Sequence, residues 1–216
     1  MDAVATIINF FQQGGPFMFP LLIVMVIGLA IALERFLYLR RARRENRALW
    51  DKLLPLLNQG DYAAAEQMAG NSRTAIGRVL SYGLARSKSN ANRSDVEMAM
   101  EESLMEVTPL LERRTHYLAT FANIATLLGL LGTILGLISA FTAVASADPA
   151  QKADLLSASI SVAMNTTAFG LMAAIPLLLV HALLQTKTNQ LVDSLEMASV
   201  KFLNAVTERQ LKGSGA

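Results

Sequence analysis

The sequence predicts an all-α, polytopic membrane protein with three transmembrane helices. Three long segments contain no Asp, Glu, Lys or Arg, and they lie at 3–33, 117–147 and 155–186. Each is longer than the roughly 20 apolar residues that cross a bilayer. A buried helix in a soluble protein is usually shorter and carries a polar stripe, so this pattern disfavours a soluble helical bundle. Between the segments, Ala, Leu, Glu, Met and Arg are abundant, which favours helix.

The first apolar segment begins with residues typical of an interface and a turn. Because these residues cannot easily continue an apolar helix, we expect 1–16 to be a periplasmic or interfacial segment and 17–38 to be the first span. A cleavable signal peptide is the alternative. It is disfavoured because there is no basic start and no small-residue cleavage site before Arg35, so we expect the span to remain in the mature protein. The turn residues are Asn9, Gln12, Gln13, Gly14, Gly15 and Pro16.

Arginines after the first span predict the orientation of the chain. Positively charged flanks stay in the cytoplasm. The loop at 146–157 contains only one positively charged residue, Lys152. We therefore expect a periplasmic N-terminus and a cytoplasmic C-terminus. Simple topological anchoring explains the arginines best; contact of Arg40–Arg47 with anionic lipid or a protein partner is the alternative, and nucleic-acid binding is disfavoured. They are Arg35, Arg40, Arg41, Arg43, Arg44 and Arg47.

The remaining chain divides by composition into cytoplasmic and membrane parts. The predicted parts are a small helical cytoplasmic domain at 39–117, a second span at 118–145, a periplasmic loop at 146–157, a third span at 158–186 and a cytoplasmic helix at 187–211. Residues 212–216 resemble a linker scar and are left out of the argument.

Two of the membrane helices are expected to continue into the cytoplasm. Ser94 and Glu97 have the spacing of a capping box, which predicts a helix start there. No strong stop follows before Ser146, so one helix is predicted to run through the second span, with a kink at Pro109. The third span is predicted to continue as an amphipathic helix with its apolar face at Leu191, Leu195, Ala198, Phe202 and Val206.

No catalytic motif or metal-ligand spacing is found in the sequence, so an enzyme and a bound cofactor or metal are not expected. There is no cysteine, which excludes a disulfide framework and a thiolate metal site. His116 and His181 lie at the predicted cytoplasmic edges of two spans. An interfacial position explains them better than a proton relay.

The second and third spans carry small and polar residues. Gly129, Gly132 and Gly136 in the second span allow close approach by another helix, and Gly170 and Pro176 are the corresponding packing candidates in the third. Lipid cannot satisfy polar side chains, so these should face protein or a hydrated ion path, and both alternatives stay open. The polar candidates are Thr126 and Thr133 in the second span, and Ser157, Ser159, Ser161, Asn165, Thr166 and Thr167 in the third.

These two spans resemble the ExbB/TolQ/MotA family of ion-driven inner-membrane motors, and the three-span ExbB branch most closely. The resemblance rests on the segments at 127–136 and 159–176, with Phe141 and the Glu34-Arg35 pair as weaker matches. It implies a homopentamer whose second and third spans surround the single helices of a dimeric ExbD-like partner. It also implies a TonB-like transducer that serves outer-membrane uptake of iron complexes or vitamin B12.

The resemblance implies roles for particular residues. Thr133 and Thr167 match threonines along the ion path, with Thr126, Asn165 and Thr166 as further polar liners. Many relatives carry a glutamate where this chain has Val162, so the resemblance implies that the partner supplies the intramembrane carboxylate, an Asp. The translocated ion is a proton or sodium. A TolQ-like envelope-integrity or gliding motor and a non-conducting membrane scaffold are the alternative functions.

Overall fold

The computed structural model describes residues 10–11, 14–88 and 92–214, with side chains described as far as 208. This part of the chain is helical and contains no strand, which confirms the all-α class. The predictions for Asn9, Gln12, Gln13 and the last two residues lie outside it. The helices are α1 (Met18–Gln59), α2 (Tyr62–Gly70), α3 (Ala75–Ser87), α4 (Arg93–Glu112), α5 (Thr115–Ser146) and α6 (Lys152–Ser214).

Three helical stretches of the described chain are long and apolar enough to cross a membrane, which confirms the predicted spans. They lie in α1, in α4 and α5 together, and in α6. Helix α6 has 63 residues and is therefore about 95 Å long, three times the roughly 30 Å thickness of a bilayer core. The chain is thus a multi-pass membrane protein whose helices continue past their apolar stretches.

The chain forms two compact units. The first, called the span unit below, comprises Met1–Glu34 and Arg114–Leu183. The second, called the helical unit, comprises Arg35–Arg113 and Leu184–Ala216. Helices α1 and α6 each contribute one part to each unit.

The core of the helical unit forms around the amphipathic half of α6. Its predicted apolar face at Leu191, Leu195, Ala198, Phe202 and Val206 is buried, with no more than 7% of any of these residues exposed. Phe202 is fully buried, and Gly83 on α3 makes room for it. A Cβ at Gly83 would lie 2.9 Å from Phe202 Cε1 and 2.7 Å from Met100 Sδ, so a larger residue would force these side chains to shift.

The helix starts in the helical unit are capped by side chains from nearby residues. Asp61 Oδ1 accepts a hydrogen bond from the Ala64 N–H at 3.0 Å, and Thr74 Oγ1 accepts one from the Gly77 N–H at 3.1 Å. Helix α4 starts at Arg93 with Asn92 as its N-cap.

The predicted capping box of α4 is wrong by two residues. The N–H of Asn92 donates to Asp95 Oδ2 at 3.3 Å, so this pair holds the cap in place of Ser94 and Glu97. Both pairs have the same spacing, and the sequence pattern does not separate them.

The predicted unbroken helix from Ser94 to Ser146 is also wrong, because it is interrupted between α4 and α5. Pro109 lies inside α4 and does not end it. The break lies at Arg113 and Arg114, where Arg114 has a left-handed backbone with φ of 66°. Such a conformation costs a non-glycine residue on the order of 1 kcal/mol, so surrounding contacts must hold it.

Glu34 and Arg35, which follow the apolar part of the first span, make separate contacts. Within the span unit, Arg114 Nη1 donates to both carboxylate oxygens of Glu34, at 3.1 and 3.0 Å. Within the helical unit, Arg35 is 3% exposed, donates from Nη2 to the Leu111 carbonyl near the end of α4, and lies 4.6 Å from the Tyr38 ring centre.

The Arg35 contact predicts a stability effect. Replacing Arg35 with Met leaves a buried carbonyl at the α4 terminus without its charged donor, which should cost about 1–3 kcal/mol. Thermal unfolding in detergent, followed by circular dichroism, should show a lower midpoint. Arg40→Met makes the same exchange at an exposed position and should leave the midpoint close to wild type. Equal midpoints for the two variants would contradict this role of Arg35.

Candidate functional site

Helices α5 and α6 approach each other closely in the span unit because small residues meet at the crossing. A Cβ at Gly170 would lie 3.0 Å from Gly129 Cα and 2.8 Å from the Ala125 carbonyl oxygen. A Cβ at Gly136 would lie 2.9 Å from Ala163 Cβ. Helices in a bilayer gain little from apolar contact alone, so this backbone approach supplies the dispersion energy that holds them together.

Thr167 adds a hydrogen bond between the same two helices. Its Oγ1 donates to the Gly129 carbonyl oxygen at 2.9 Å. The side chain is half-buried and reaches a backbone group on α5, which is possible only because glycine at 129 and 170 lets the helices touch. The hydroxyl oxygen retains acceptor capacity after its hydrogen is donated.

Thr166 points in a different direction from Thr167 and contacts the chain before α1. Its Oγ1 donates to the Gly14 carbonyl oxygen at 2.7 Å and lies 3.0 Å from the Val162 carbonyl oxygen. The residue is 2% exposed, and its methyl group fills the space beside Gly132. Gly15 follows in a left-handed conformation with φ of 72°, as the turn requires. Thr166 therefore attaches this turn to α6 within the chain.

The two threonines predicted on α5 bond within their own helix. Thr126 Oγ1 donates to the Ala122 carbonyl oxygen at 3.1 Å, and Thr133 Oγ1 donates to that of Leu130 at 2.6 Å. Their donors are satisfied, but their oxygens remain able to accept a hydrogen bond from water or to face a cation. Thr133 is half-buried and Thr126 is exposed in the single chain.

A polar stripe on α6 has no hydrogen-bond partner among the described residues. Ser157, Ser161 and Asn165 are spaced four residues apart and so lie on one helix face; the serines are exposed and Asn165 is half-buried. The sequence analysis named all three as polar candidates but did not place them on one helix face. Their four-residue spacing was the available signal. The stripe must be satisfied by water or by another chain.

Val162 lines a cavity of about 270 Å³ inside the span unit. The hydroxyl-bearing residues Ser139, Ser159 and Thr166 line the same cavity, together with the glycines of α5 and the turn before α1. A valine at 162 supplies no charge there. Val162 therefore borders a small, uncharged space together with hydroxyl groups.

Comparison with known proteins identifies the family. The model of the MotA/TolQ/ExbB proton channel family matches residues 71–197, which is more than half of the chain. The chain belongs to this family.

Similar family members occur in several organisms. The chain is 28% identical to the biopolymer transport protein ExbB homolog of Methanothermobacter thermautotrophicus, over 89% of this chain and 67% of that protein. It is 33% identical to biopolymer transport protein ExbB-like 1 of Synechocystis sp., over 85% of this chain and 72% of that one. It is 34% identical to the Tol-Pal system protein TolQ of Haemophilus influenzae, over 42% of this chain and 40% of TolQ.

The basic cluster of this family member is exposed on α1. Arg41 pairs with Glu45 at 2.7 Å, and the hydrogen bond to Glu45, with its negative charge, raises the pKa of the Arg41 guanidinium further above its ordinary value. Arg40, Arg43 and Arg44 make no ion pair within the described chain and are exposed. Their contact with lipid or protein stays a prediction.

The other predicted residues of this proton channel homologue lie away from the α5–α6 crossing. Pro176 lies inside α6 and is exposed, so any packing through it is against lipid or another chain. His116 is exposed and its ring centre lies 4.2 Å from that of Tyr117. No cluster of three His, Cys, Asp or Glu residues with metal-binding geometry occurs among the residues that the structure describes.

The crossing of α5 and α6 predicts a sharp difference between two glycines. Gly170→Ala places a methyl group against the backbone of α5, and overpacking of this kind costs about 1–3 kcal/mol. Gly70→Ala adds the same methyl group at the end of α2, where nothing lies within 4 Å. We expect a lower thermal unfolding midpoint and poorer recovery of assembled protein for Gly170→Ala only. If both variants behave like wild type, the crossing tolerates separation and this packing argument fails.

Proposed function

We propose that this chain is the ring-forming subunit of a proton-driven inner-membrane motor. The observation that carries the proposal is the polar stripe of Ser157, Ser161 and Asn165, which has no partner within the described chain although Ser161 and Asn165 lie within the third apolar span. A homopentamer would bring this face of α6 from each copy toward a shared, hydrated centre. The N-terminus is proposed to be periplasmic and the C-terminus cytoplasmic.

Exposure of the spans supports an assembly. Only 22–28% of the most apolar window in each span is buried within the single chain. Lipid tails can cover the exposed leucines and isoleucines, but they cannot hydrogen bond a serine hydroxyl or an asparagine amide. The polar stripe is therefore better covered by water and by neighbouring chains than by lipid.

The ion path is proposed to combine this stripe with threonine oxygens. Thr133 and Thr167 donate their hydroxyl hydrogens to backbone carbonyls. The lone pairs of their oxygens stay available to accept a hydrogen bond from water or to contact a cation. Thr126 and Asn165 extend the polar lining. Thr166 is the weakest of the five predicted liners, because its hydroxyl is buried against Gly14.

A partner chain is proposed to supply the proton-carrying acid. The sequence has no acidic residue from 117 to 147 or from 155 to 186, and residue 162, where the family resemblance implies a glutamate, is valine. A proton needs either a titratable carrier or ordered water, and a carboxylate inside a membrane is the usual carrier. An ExbD-like dimer with an intramembrane Asp fits this need. Sodium is the alternative ion, since the same oxygens could replace part of its hydration shell.

The proposed task of the motor is to drive a TonB-like transducer for outer-membrane uptake of iron complexes or vitamin B12. Similarity to ExbB-like proteins along most of the chain supports this choice. A TolQ-like role in envelope integrity or gliding is the second candidate, and the similarity to TolQ of Haemophilus influenzae supports it. A non-conducting scaffold is the third, and it predicts that the polar stripe tolerates apolar replacements.

Thr167→Val tests the ion path with little change in shape. The valine cannot donate to the Gly129 carbonyl or accept from water, so proton flux into proteoliposomes containing this chain and its one-span partner should fall about tenfold or more. Thr167→Ser keeps the hydroxyl and should retain flux. Thr142→Val removes a hydroxyl that bonds within α5 and should also leave flux unchanged. Normal flux in a correctly assembled Thr167→Val protein would exclude Thr167 from the path.

Asn165→Leu tests whether the polar stripe of α6 contacts water or lipid. If the stripe faces water, the leucine should abolish proton- and sodium-dependent dye responses while the ring still assembles. The neighbouring exchange Met164→Leu keeps an exposed, apolar side chain and should have no effect. A more stable Asn165→Leu protein with normal flux would place this face against lipid and would contradict the proposed path.

A further inference from the structure

The helical unit contains a cleft of about 420 Å³ that the motor function does not use. One stripe of α1 and one stripe of α6 form its walls, and Ile76 at the start of α3 completes it. Its size is within the range of small-molecule sites. The polar and aromatic lining that could contact a ligand includes Arg43, Asn46, Arg47 and Trp50 on α1, and Asp193 and Lys201 on α6.

The charges of the cleft are predominantly positive. Arg43, Arg47 and Lys201 contribute three positive charges, and Asp193 contributes one negative charge, so the lining carries a net charge of +2. The described chain contains no ion pair of any of these four residues. Arg43 and Arg47 are four residues apart on α1, so both guanidinium groups extend from the same face of the helix.

A buried donor lines the same cleft. Asn46 is 4% exposed, and its Oδ1 accepts a hydrogen bond from the Ile76 N–H at 3.0 Å. That bond fixes the orientation of the amide, so Nδ2 is the group left over, and it has no acceptor among the described residues. A buried donor without an acceptor costs about 1–3 kcal/mol, which an oxyanion in the cleft would recover.

We propose that this cleft binds a phosphate group. Guanidinium groups match the oxygens of a phosphate with paired hydrogen bonds, and the lysine adds a mobile positive charge. The Asn46 amide and the half-buried Trp50 indole add uncharged donors. The negative charge of Asp193 repels a phosphate, so the phosphate is expected to lie nearer the arginines.

The phosphate can belong to a lipid head group or to a soluble molecule. Arg43 follows Tyr38, the predicted end of the first span, by five residues, which is about 8 Å along a helix. Head-group regions extend about 5–8 Å beyond the hydrocarbon core, so the near end of the cleft is within reach of a lipid phosphate. Lys201 follows the predicted end of the third span by 15 residues, or about 22 Å, and is out of that reach.

Trp50 is the chain's only tryptophan, so its fluorescence reports directly on the cleft. The purified full-length protein in detergent is titrated with inorganic phosphate, against chloride at equal ionic strength. It is then reconstituted into vesicles of phosphatidylcholine, with and without phosphatidylglycerol. Arg43→Gln, Arg47→Gln and Lys201→Gln each remove one lining charge. Lys52→Gln removes one charge from an exposed position of α1 outside the cleft and serves as the control.

A saturable shift of Trp50 emission with inorganic phosphate supports the proposal and identifies a soluble ligand. Arg47→Gln and Lys201→Gln should then weaken binding about tenfold, and Lys52→Gln should not. A shift only with phosphatidylglycerol, lost in Arg43→Gln and retained in Lys52→Gln, supports a lipid head group. No shift in either series, as expected if another copy of the chain fills the cleft, overturns the proposal. Equal weakening by Lys52→Gln also overturns it, because binding would then follow overall charge alone.

Discussion

Helices α5 and α6 meet backbone to backbone where Gly129 faces Gly170, and the span unit is arranged around that contact. A Cβ at Gly170 would lie 2.8 Å from the Ala125 carbonyl oxygen and push the helices apart, and one at Gly129 would lie 3.3 Å from the Gly170 Cα, closer than an ordinary contact. In water, apolar burial would compensate for some separation. In lipid, a separated pair would gain as much from hydrocarbon chains as from each other, so close packing and interhelix hydrogen bonds have to hold the crossing. The bond from Thr167 to the Gly129 carbonyl depends on the same closeness.

The polar residues of α6 form two groups, those with a hydrogen-bond partner in the described chain and those without one. Thr166 and Thr167 lie next to each other in the sequence but are satisfied inside the span unit, one by Gly14 and one by Gly129. Asn165 precedes them and has no such partner in the described chain. A rotation of about 100° per residue on a helix separates the three directions. One turn of α6 therefore bonds to the rest of the span unit through Thr166 and Thr167, and it also carries Asn165, whose amide has no partner in the described chain.

Charged residues gather where the apolar segments end. Glu34 holds the strained Arg114 in the span unit, and its neighbour Arg35 binds the end of α4 in the helical unit. A helix terminus carries partial negative charge on its free carbonyls, which explains a buried guanidinium beside Leu111. Beyond these residues the surface of α1 becomes strongly basic, and part of that charge lines the cleft with Lys201.

The sequence by itself determined the all-helical class, the three spans and the buried face of α6, because each follows from periodicity and from the length of uncharged segments. It also singled out Gly129, Gly132, Gly136 and Gly170 as the residues where helices could approach. Only the tertiary structure decided which residues meet: Asn92 rather than Ser94 as a cap, the break at Arg114, and the different directions of Thr166 and Thr167. Composition limits what a side chain can do, but its partner depends on helix rotation and on contacts far apart in the chain.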